Sequence, residues 1–590
     1  MIKNRATGKE SEMALSRIGY DIGKESLRNN CFCFLQEHFE KHPDRVCMKW
    51  VNTKNKIWFD YNPFARTLTH DPFTYKDIYN MVVHVAAGYK KLGIGKGDRA
   101  LVYVPMIPWL YTGMFAFQML GATCIFLDSF ARADQLEYVA GLCKPKVWLS
   151  GERGFAMGEG KPGLEAIPIK INMGPCTKTW TARFEDLLKT PEVAEPVPVE
   201  QEHTALITFT TGSSGTPKGA DRSHRFLAAQ HYAIDGCLPY KESDLDLPVF
   251  PIFSLNNLAA GVTTVLPAIN VAEPAANDPY VLFTQIKGEG ITTLTLNPSL
   301  LNGLNKYCLD KGETLPGLRR VAAGGAAVSR DVVEEFTKIA PNAELVVMYG
   351  STEAEPMTHI TGKEMLAHRS VTEDDPELVD AGVNVGHFAA GLQFKFIRIV
   401  RGPIEIVSDK QWAELEVPQG GVGELLVAGE HVCRAYYNDS EAFKKSKIRD
   451  HNNIVWHRTG DLGRLDAKGN VWIVGRIHNA IERAGTYLFP VQAEVVLKRQ
   501  PYTRLAAYLG VPDGKLGEKT VCVVAPKDTA DIANKTLCAE REAEIRRVMT
   551  KNQIPVDQVI FHPDIPMDLR HRSKVEYGIL RDELKKAGLV

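Results

Sequence analysis

Thr208 to Gly219 read Thr-Phe-Thr-Thr-Gly-Ser-Ser-Gly-Thr-Pro-Lys-Gly, a stretch that holds three glycines, six hydroxyl side chains and one lysine. The apolar run Ala205-Leu206-Ile207 comes directly before it and predicts the end of a buried strand. Glycines leave backbone N–H groups open, hydroxyls donate hydrogen bonds, and Lys218 supplies a fixed cation. These groups suit a polyphosphate better than a surface linker, which seldom follows a buried strand.

The loop does not follow the P-loop pattern of Gly, four residues and Gly-Lys-Ser/Thr. Pro217 precedes the lysine and Gly219 follows it. A P-loop nucleotidase is therefore disfavoured, and the class of protein has to be inferred from motifs further along the chain.

Length and composition limit the classes of protein to consider. At 590 residues the chain is expected to form roughly two to four domains. Its net charge of −1 gives no electrostatic support for nucleic-acid binding. The eleven cysteines follow no disulfide or metal-site spacing, since Cys31 and Cys33 form only an isolated pair, and this favours reduced thiols in the cytoplasm.

Targeting and membrane segments are not expected. The first residues are polar and charged, without the apolar core of a signal peptide, and no run of 18 apolar residues exists. We expect no integral membrane segment, while peripheral membrane contact stays open if the substrate is a lipid.

Helix and strand patterns alternate through the first part of the chain, which predicts a parallel α/β sheet. After a leader of residues 1–27, the predicted elements are a helix and a strand within Asn30–Trp50, a helix from Phe73 to Leu92, a strand over Ala100–Val104, a helix after Pro108 and a strand over Ala122–Leu127.

Two further motifs follow predicted strands. Gly324, Gly325 and Ala326 would let a planar ring lie against the backbone, although a tight strand-to-helix turn explains them equally well. Tyr349 to Glu353 read Tyr-Gly-Ser-Thr-Glu, which offers an aromatic ring, two hydroxyls and a carboxylate. A base could stack on the ring and Mg²⁺ could bind the carboxylate, and the alternative is an exposed helix start.

A fourth motif combines a turn and a strand end. Arg458 to Gly463 read Arg-Thr-Gly-Asp-Leu-Gly, and the strand that follows ends at Arg476. The carboxylate of Asp461 could accept both hydroxyls of a ribose, although such a turn alone is usually only a turn.

Taken in this order, the motifs resemble those of the adenylate-forming superfamily, which includes acyl-CoA synthetases, firefly luciferase and the adenylation domains of peptide synthetases. The resemblance runs from about residue 70 to the C-terminus. It implies an α/β fold with a large N-terminal domain of doubly wound sheets plus a β subdomain, residues 28–476. A small mobile α+β C-terminal domain, residues 477–590, would carry the catalytic lysine.

The resemblance also implies the site. Its cofactors are ATP and Mg²⁺, with Glu353 as the metal ligand and with Thr352, Glu353 and Lys574 as catalytic residues. The implied ATP-binding residues are Thr210, Thr211, Gly212, Ser213, Ser214, Gly215, Thr216, Lys218, Gly324, Gly325, Ala326, Tyr349, Gly350, Ser351, Asp461, Ile473 and Arg476.

Four positions depart from the common family pattern. Ser254 stands where many acyl-CoA synthetases have a histidine near the acyl group, and His478 stands at the hinge, where Asp or Lys is common. Glu482 to Gly485 replace a basic loop that helps to form the CoA tunnel. The segment before Lys574 is similar to that of olefin-pathway β-lactone synthetases. His224, a position at which the family usually has histidine, is expected to pack or to hydrogen-bond at a helix start.

The implied reaction is ATP-dependent activation of a small-molecule carboxylic acid, lipid-like and most simply a fatty acid, to an acyl-adenylate with release of pyrophosphate. The family favours CoA as the acyl acceptor. The alternatives are cyclisation of a β-hydroxy fatty acid to a β-lactone without CoA, transfer to a carrier-protein thiol or an amine, and a non-catalytic nucleotide-binding protein.

Overall fold

A computed structural model describes residues 21, 23–51, 70–127, 131–211, 216–269, 279–368, 370–371, 375, 377–380, 382–567 and 575–590. The chain divides into two compact units. The first comprises Met1–His359, Ala389–Gln393 and Val427–His457, and the second comprises Ile360–Phe388, Phe394–Leu426 and Arg458–Val590. The second unit thus includes residues 477–590 together with earlier segments, and the domain boundary after Arg476 stays a prediction.

An eight-stranded sheet of the first unit carries the loop quoted above. Its central strands are parallel, and an antiparallel pair lies towards one edge. In spatial order the strands are Ala435–Tyr436, Pro217–Ser223, Thr204–Thr211, Thr123–Phe126, Arg99–Tyr103, Val147–Ser150, Ile169–Asn172 and Ala182–Arg183.

A second, mostly parallel set of strands in the first unit carries the Tyr-Gly-Ser-Thr-Glu motif. In spatial order these strands are Glu344–Ser351, Arg320–Gly324, Thr293–Leu296, Leu245–Pro248, Thr263–Val265, Val46–Val51 and, antiparallel to its neighbour, His70–Thr74.

The helices of the first unit pack against these sheets. They are Cys33–Lys41, Tyr75–Lys91, Pro108–Met119, Ala133–Cys143, Glu152–Ala156, Pro162–Glu165, Phe184–Leu187, His224–Cys237, Pro251–Ala260, Pro279–Glu289, Pro298–Lys311, Arg330–Ile339 and Ser440–Ser446. Pro108–Met119 is buried on all sides, and Tyr75–Lys91 begins at a capping box in which Thr74 and Asp77 satisfy each other's backbone N–H groups.

The second unit contains two sheets. One has, in spatial order, Gln393–Ile397, Gly423–Ala428, Val455–Leu465, Val471–Arg476 and Val383–Phe388, of which some strands begin or end in the first unit. The other has Thr486–Leu488, Ile481–Arg483, Gly517–Pro526 and Thr503–Asp513, with Gln558–Phe561 paired to Gly517–Pro526. The helices are Gly362–Ala367, Asp409–Leu415, Pro490–Lys498, Lys535–Lys551 and Tyr577–Lys586.

The predicted α/β class is confirmed, and so are the early elements, with ends that differ by a few residues at most. The predicted helix to Leu92 ends at Lys91, and the predicted strand Ala100–Val104 is Arg99–Tyr103. Across the described residues, no helix is both long enough and apolar enough to cross a membrane.

Candidate active site

The predicted phosphate loop connects two antiparallel strands. Thr210 lies opposite Lys218 and Phe209 lies opposite Gly219, so the strands on either side of the loop pair with each other. Gly219 is required by packing, because a Cβ there would lie 2.7 Å from Cζ of Phe209. The lysine is half-buried and Thr216 is exposed.

Part of this loop lies outside the described residues, namely Gly212, Ser213, Ser214 and Gly215. Thr211 is placed by its backbone pairing with Pro217. The phosphate-binding roles of these residues stay predictions, as do those of Thr210, Thr216 and Lys218.

The Tyr-Gly-Ser-Thr-Glu motif is a turn between two strands. Tyr349 to Ser351 end the strand Glu344–Ser351, and the chain runs on as the strand Ala354–Thr361. The alternative of a helix start is therefore wrong. Gly350 is fixed by crowding, since a Cβ there would lie 2.9 Å from the carbonyl oxygen of Ala354.

The hairpin and this turn meet through Arg222. Its Nη2 donates to the carbonyl oxygen of Thr352 at 2.6 Å, across a sequence separation of 130 residues. The guanidinium is buried, and its carbon lies 5.3 Å from the ring centroid of Phe226. The residues predicted to hold pyrophosphate and those predicted to hold the α-phosphate thus lie on neighbouring elements of one unit.

Glu353 is held at both its main chain and its side chain. Its carbonyl oxygen accepts from the N–H of Cys433 at 2.7 Å, and its Oε1 accepts from the hydroxyl of Tyr436 at 2.9 Å. Burial alone would raise the pKa of this carboxyl. The positive charges of His457 and Lys447 and the Tyr436 hydrogen bond outweigh burial and lower the pKa of Glu353 to about 2, so the group is a carboxylate at neutral pH.

The groups at this turn fit a metal–nucleotide ligand. The Glu353 carboxylate is the kind of oxygen ligand that Mg²⁺ prefers. The Oγ of Ser351 is buried and has no hydrogen-bond partner among the described residues, as expected of a group that binds a ligand atom. Among these same residues, no cluster of three or more His, Cys, Asp or Glu suits a metal.

The small-residue motif sits on the neighbouring strand. Gly324 lies opposite Met348, and a Cβ on Gly324 would lie 2.9 Å from the Met348 carbonyl oxygen. Gly325 has a φ of +88°, and Ala326 is half-buried. Backbone crowding therefore explains Gly324 by itself, and the adenine-binding role of the three residues stays a prediction.

In the second unit, Asp461 and Arg476 are opposite each other on paired strands. Arg476 Nε lies 3.1 Å from Asp461 Oδ1, and Arg476 Nη2 donates to the Thr459 carbonyl oxygen at 2.9 Å. The turn predicted at Arg458 to Gly463 is wrong, because these residues lie within the strand Val455–Leu465, where Gly460 has a φ of +71° that favours glycine. Sequence reasoning predicted Asp461 and Arg476 as ribose contacts, and the structure adds that they form an ion pair. Ile473 lies half-buried on the same strand as Arg476.

A buried ion pair lies on the same strand as Asp461. Arg458 and Glu424 are almost fully buried and are joined by Nε and Nη2 hydrogen bonds, the shortest at 2.6 Å. Arg458 also donates to the carbonyl oxygens of Val400 and Gly402. The arginine is thus fully partnered and belongs to the scaffold.

The predicted catalytic lysine, Lys574, lies outside the described residues together with 568–573. The chain on either side is held, because Met567 and Val575 form an antiparallel bridge and Glu576 N–H donates to the Pro566 carbonyl oxygen at 2.8 Å. The role of Lys574 stays a prediction.

The departures from the family pattern occupy defined places. Ser254 is fully buried and its Oγ accepts a long hydrogen bond of 3.4 Å from Thr264 Oγ1. Desolvation and the charge of Arg476 lower the pKa of His478 to about 4, so it is neutral near pH 7. The loop Glu482–Gly485 is a tight hairpin with Ala484 and Gly485 at positive φ.

His224 has a packing role, as expected. It is fully buried at the start of the helix His224–Cys237, whose N-cap is Ser223. Its Nδ1 accepts from the backbone N–H of Cys31 at 3.0 Å. Burial, with His203 adding, lowers the pKa of His224 to about 3.

An open pocket with a cavity volume of about 60 Å³ lies in the first unit, between the helices Cys33–Lys41, His224–Cys237 and Pro251–Ala260 and close to Pro108–Met119. Its wall is mainly apolar. The lining residues are Cys31, Phe34, Leu35, Phe115, Gln118, Leu227, Ala228, Gln230, His231, Ile234, Ile252, Leu255, Asn256 and Ala259.

Two amide side chains in this wall have an unpartnered atom. Gln230 Nε2 donates to Glu355 Oε2 at 3.4 Å, and Asn256 Oδ1 lies 2.8 Å from His231 Nδ1. Their other amide atoms, Gln230 Oε1 and Asn256 Nδ2, are buried without a partner among the described residues. Both residues line the pocket, so a bound group that reaches these two atoms would meet one hydrogen-bond acceptor and one donor.

Sequence reasoning missed the pocket wall, and it also missed Arg222, Tyr436 and Lys447. The pocket residues are scattered over four elements and form no motif. Lys447 belongs to the basic run Lys444–Lys447 in the sequence, which is typical of a solvent-exposed face, and nothing in that run distinguishes the one lysine that is buried.

The structure is that of an α/β protein in which the ionised Glu353 carboxylate follows a strand end, and Arg222 joins that turn to the strand after the predicted phosphate loop. The model of the AMP-binding enzyme family matches residues 35–437, more than half of the chain. The chain belongs to the AMP-binding enzyme family.

Relatives and a solved structure agree with this assignment. The chain is 29% identical over 502 residues to an olefin beta-lactone synthetase of Xanthomonas campestris pv. campestris, covering 83% of this chain and 87% of the relative. It is 26% identical over 523 residues to a long-chain-fatty-acid–CoA ligase of Thermus thermophilus, covering 86% and 91%. ATP-bound MatB from Rhodopseudomonas palustris has a TM-score of 0.73 at 20% identity, covering 95% and 99%, and confirms the fold.

Proposed function

We propose that the protein uses ATP and Mg²⁺ to convert a carboxylic acid to an acyl-adenylate, and then transfers the acyl group. The observation that carries this proposal is the contact between the hairpin and the turn, made by Arg222 and Thr352. This contact joins the strand after the predicted phosphate loop to the turn that carries the Glu353 carboxylate, which is ionised at neutral pH. Membership of the AMP-binding enzyme family supports the same chemistry.

In the proposed reaction a carboxylate oxygen of the acid attacks the α-phosphorus of ATP. The bond from that phosphorus to the bridging oxygen breaks, and pyrophosphate leaves with the electron pair. Both reactants are anions, so charge placement is the main task of the protein and no general base is needed. Lys218 and the loop hydroxyls are assigned to the leaving pyrophosphate, and Lys574 to the carboxylate and α-phosphate.

Glu353 is assigned to the metal that accompanies ATP. Mg²⁺ held there would neutralise phosphate oxygens as charge develops. Asp461 and Arg476 are assigned to the ribose, and Tyr349 to the adenine ring. Their spacing in the sequence, the places of Tyr349 and Arg476 near strand ends and the pairing of Asp461 with Arg476 support these assignments.

The acid is proposed to be lipid-like. The pocket between the three helices supports this, since its wall is mainly apolar. The similarity to a fatty-acid–CoA ligase supports it as well. Peripheral membrane contact would follow if the acid is delivered from a bilayer.

CoA is the acceptor that the family pattern favours. A second fate is supported by a specific observation, the unpartnered acceptor and donor of Gln230 and Asn256 in the pocket wall. A bound hydroxyl that reaches both atoms would accept from Asn256 Nδ2 and donate to Gln230 Oε1. A β-hydroxy acid could then close on its own adenylate, the hydroxyl oxygen attacking the acyl carbon as AMP leaves, to give a β-lactone without CoA. The similarity to an olefin beta-lactone synthetase agrees with this fate.

The cytoplasm is the proposed compartment. All eleven cysteines, which lie within the described residues, are unpaired thiols, and reduced thiols are typical of that environment.

The test of the proposed function is acid-dependent exchange of labelled pyrophosphate into ATP, over a panel of fatty and hydroxy fatty acids. We expect exchange that requires both the acid and Mg²⁺. Binding of ATP without exchange for any acid would refute catalysis and favour a nucleotide-binding protein. Product mass spectrometry with and without CoA then separates a thioester from loss of water.

A further inference from the structure

Lys447 is a buried lysine that no motif explains. Its side chain is 2% exposed, at the start of the short strand Lys447–Arg449. Lysine is almost never fully buried unless its ammonium group is partnered, because removing an unpaired charge from water is strongly unfavourable. An apolar residue would fill this place without that penalty, so the ammonium group itself must serve a purpose.

The contacts of the ammonium group lead to Glu353 by two short routes. Lys447 Nζ donates to the carbonyl oxygen of Cys433, whose own N–H donates to the Glu353 carbonyl oxygen at 2.7 Å. Nζ also lies 5.3 Å from the ring centroid of Tyr436, whose hydroxyl donates to Glu353 Oε1 at 2.9 Å. One route reaches the main chain of Glu353 and the other reaches its carboxylate.

The neighbouring backbone makes this arrangement rigid. Val432 bridges to Ala354, the residue after Glu353, so the segment Val432–Tyr436 runs along the turn. Lys447 holds that segment from the other side, and it is itself fixed by antiparallel pairing with His457. The lysine, the segment and the turn therefore form one connected support.

We propose that Lys447 is a positioning residue, which through Cys433 and Tyr436 holds the Glu353 carboxylate in the orientation that receives the metal of the metal–ATP complex. This inference rests on the proposed function for the metal role of Glu353. Residues that orient a metal ligand typically change metal affinity or activity about 10- to 100-fold when removed. The effect of Lys447 should therefore appear in how much the metal improves ATP binding.

The experiment is calorimetric titration of the full-length protein with ATP, in Mg²⁺ and in EDTA, without any acid. The ratio of the two dissociation constants gives the metal-dependent gain in affinity. We expect Lys447→Met to reduce that gain about tenfold, while the dissociation constant in EDTA stays unchanged. Lys447→Arg should restore part of the gain. Lys444→Met, an exposed lysine on the adjacent helix, is the matched control and should leave it unchanged.

Tyr436→Phe gives an independent arm if Lys447→Met does not fold. It keeps the ring and removes only the hydroxyl that donates to Glu353, so the gain should again fall. The inference is overturned if folded Lys447→Met shows a metal-dependent gain in ATP affinity that is unchanged or larger. If Lys447→Met does not fold, an unchanged gain in Tyr436→Phe overturns it. A wild-type protein with a normal metal-dependent gain but no acid-dependent exchange would refute the proposed function and leave the role of Lys447 standing.

Discussion

Replacing Asn256 or Gln230 by leucine tests whether the pocket selects a hydroxylated acid. A hydroxyl in the pocket would accept from Asn256 Nδ2 and donate to Gln230 Oε1, the two atoms without a partner among the described residues. Each such hydrogen bond contributes about 0.5–1.5 kcal/mol, so the pair contributes about 1–3 kcal/mol. The wild-type protein should then prefer 3-hydroxydecanoate over decanoate by about 5- to 150-fold in kcat/KM.

The assay is acid-dependent pyrophosphate release, measured for both acids at matched concentrations. Asn256→Leu and Gln230→Leu should each reduce the preference for the hydroxy acid to roughly the square root of its wild-type value. The loss should come chiefly from a lower kcat/KM for the hydroxy acid. Gln36→Leu is the control, because Gln36 is half-buried on the helix Cys33–Lys41, where it donates to Glu40, and does not line the pocket. Equal use of the two acids by the wild type, or an equal effect of the leucine variants on both acids, would refute the reasoning.

Three other predictions concern stability. Gly219→Ala should lower the free energy of unfolding by about 1–3 kcal/mol, because the new Cβ would lie 2.7 Å from the Phe209 ring. Gly236→Ala is the control and should not lower it, since Gly236 has open space around it. Thermal unfolding measures both variants. Glu424→Gln should destabilise the protein by about 3–5 kcal/mol in denaturant unfolding, because it leaves the charge of Arg458 buried without its carboxylate partner. Replacing both residues by apolar ones should destabilise the protein less. The pKa of His224 is about 3 in the folded protein and 6.5 ordinarily. Its contribution to the free energy of unfolding is therefore full above pH 6.5, and it is lost as the pH falls toward 3, by up to about 1.4 kcal/mol per pH unit. His224→Gln should flatten that slope in unfolding titrations, and an unchanged slope would contradict the buried neutral histidine.

The sequence was most informative where one segment carries several functional groups. The alternating helices and strands predicted the α/β class, and the buried strand before the glycine-rich loop is observed as Thr204–Thr211. The return strand Pro217–Ser223 was not predicted, since Pro217-Lys218-Gly219 is typical of a loop and pairing with the preceding strand decides its conformation. Tertiary pairing overrode local preference at this point.

Contacts between distant segments could not be predicted from one sequence. The Arg222–Thr352 contact joins residues 130 positions apart, and the Cys433–Glu353 contact depends on a segment without any motif. The burial of Lys447 likewise follows from the strand pairing with His457 and not from its basic neighbours. The motifs therefore indicated the candidate site residues, and the structure was needed to find the contacts that position them.

The most direct test of ATP-dependent acid activation is pyrophosphate–ATP exchange in the wild-type protein and in Glu353→Gln and Lys218→Met, with Glu441→Gln as an exposed control. The account predicts acid- and Mg²⁺-dependent exchange in the wild type and the control. It predicts a loss of about 10²-fold or more in each of the other variants, as is typical when a group that stabilises developing charge is removed. Exchange at the wild-type rate in both variants, or exchange that does not need the acid, would contradict it.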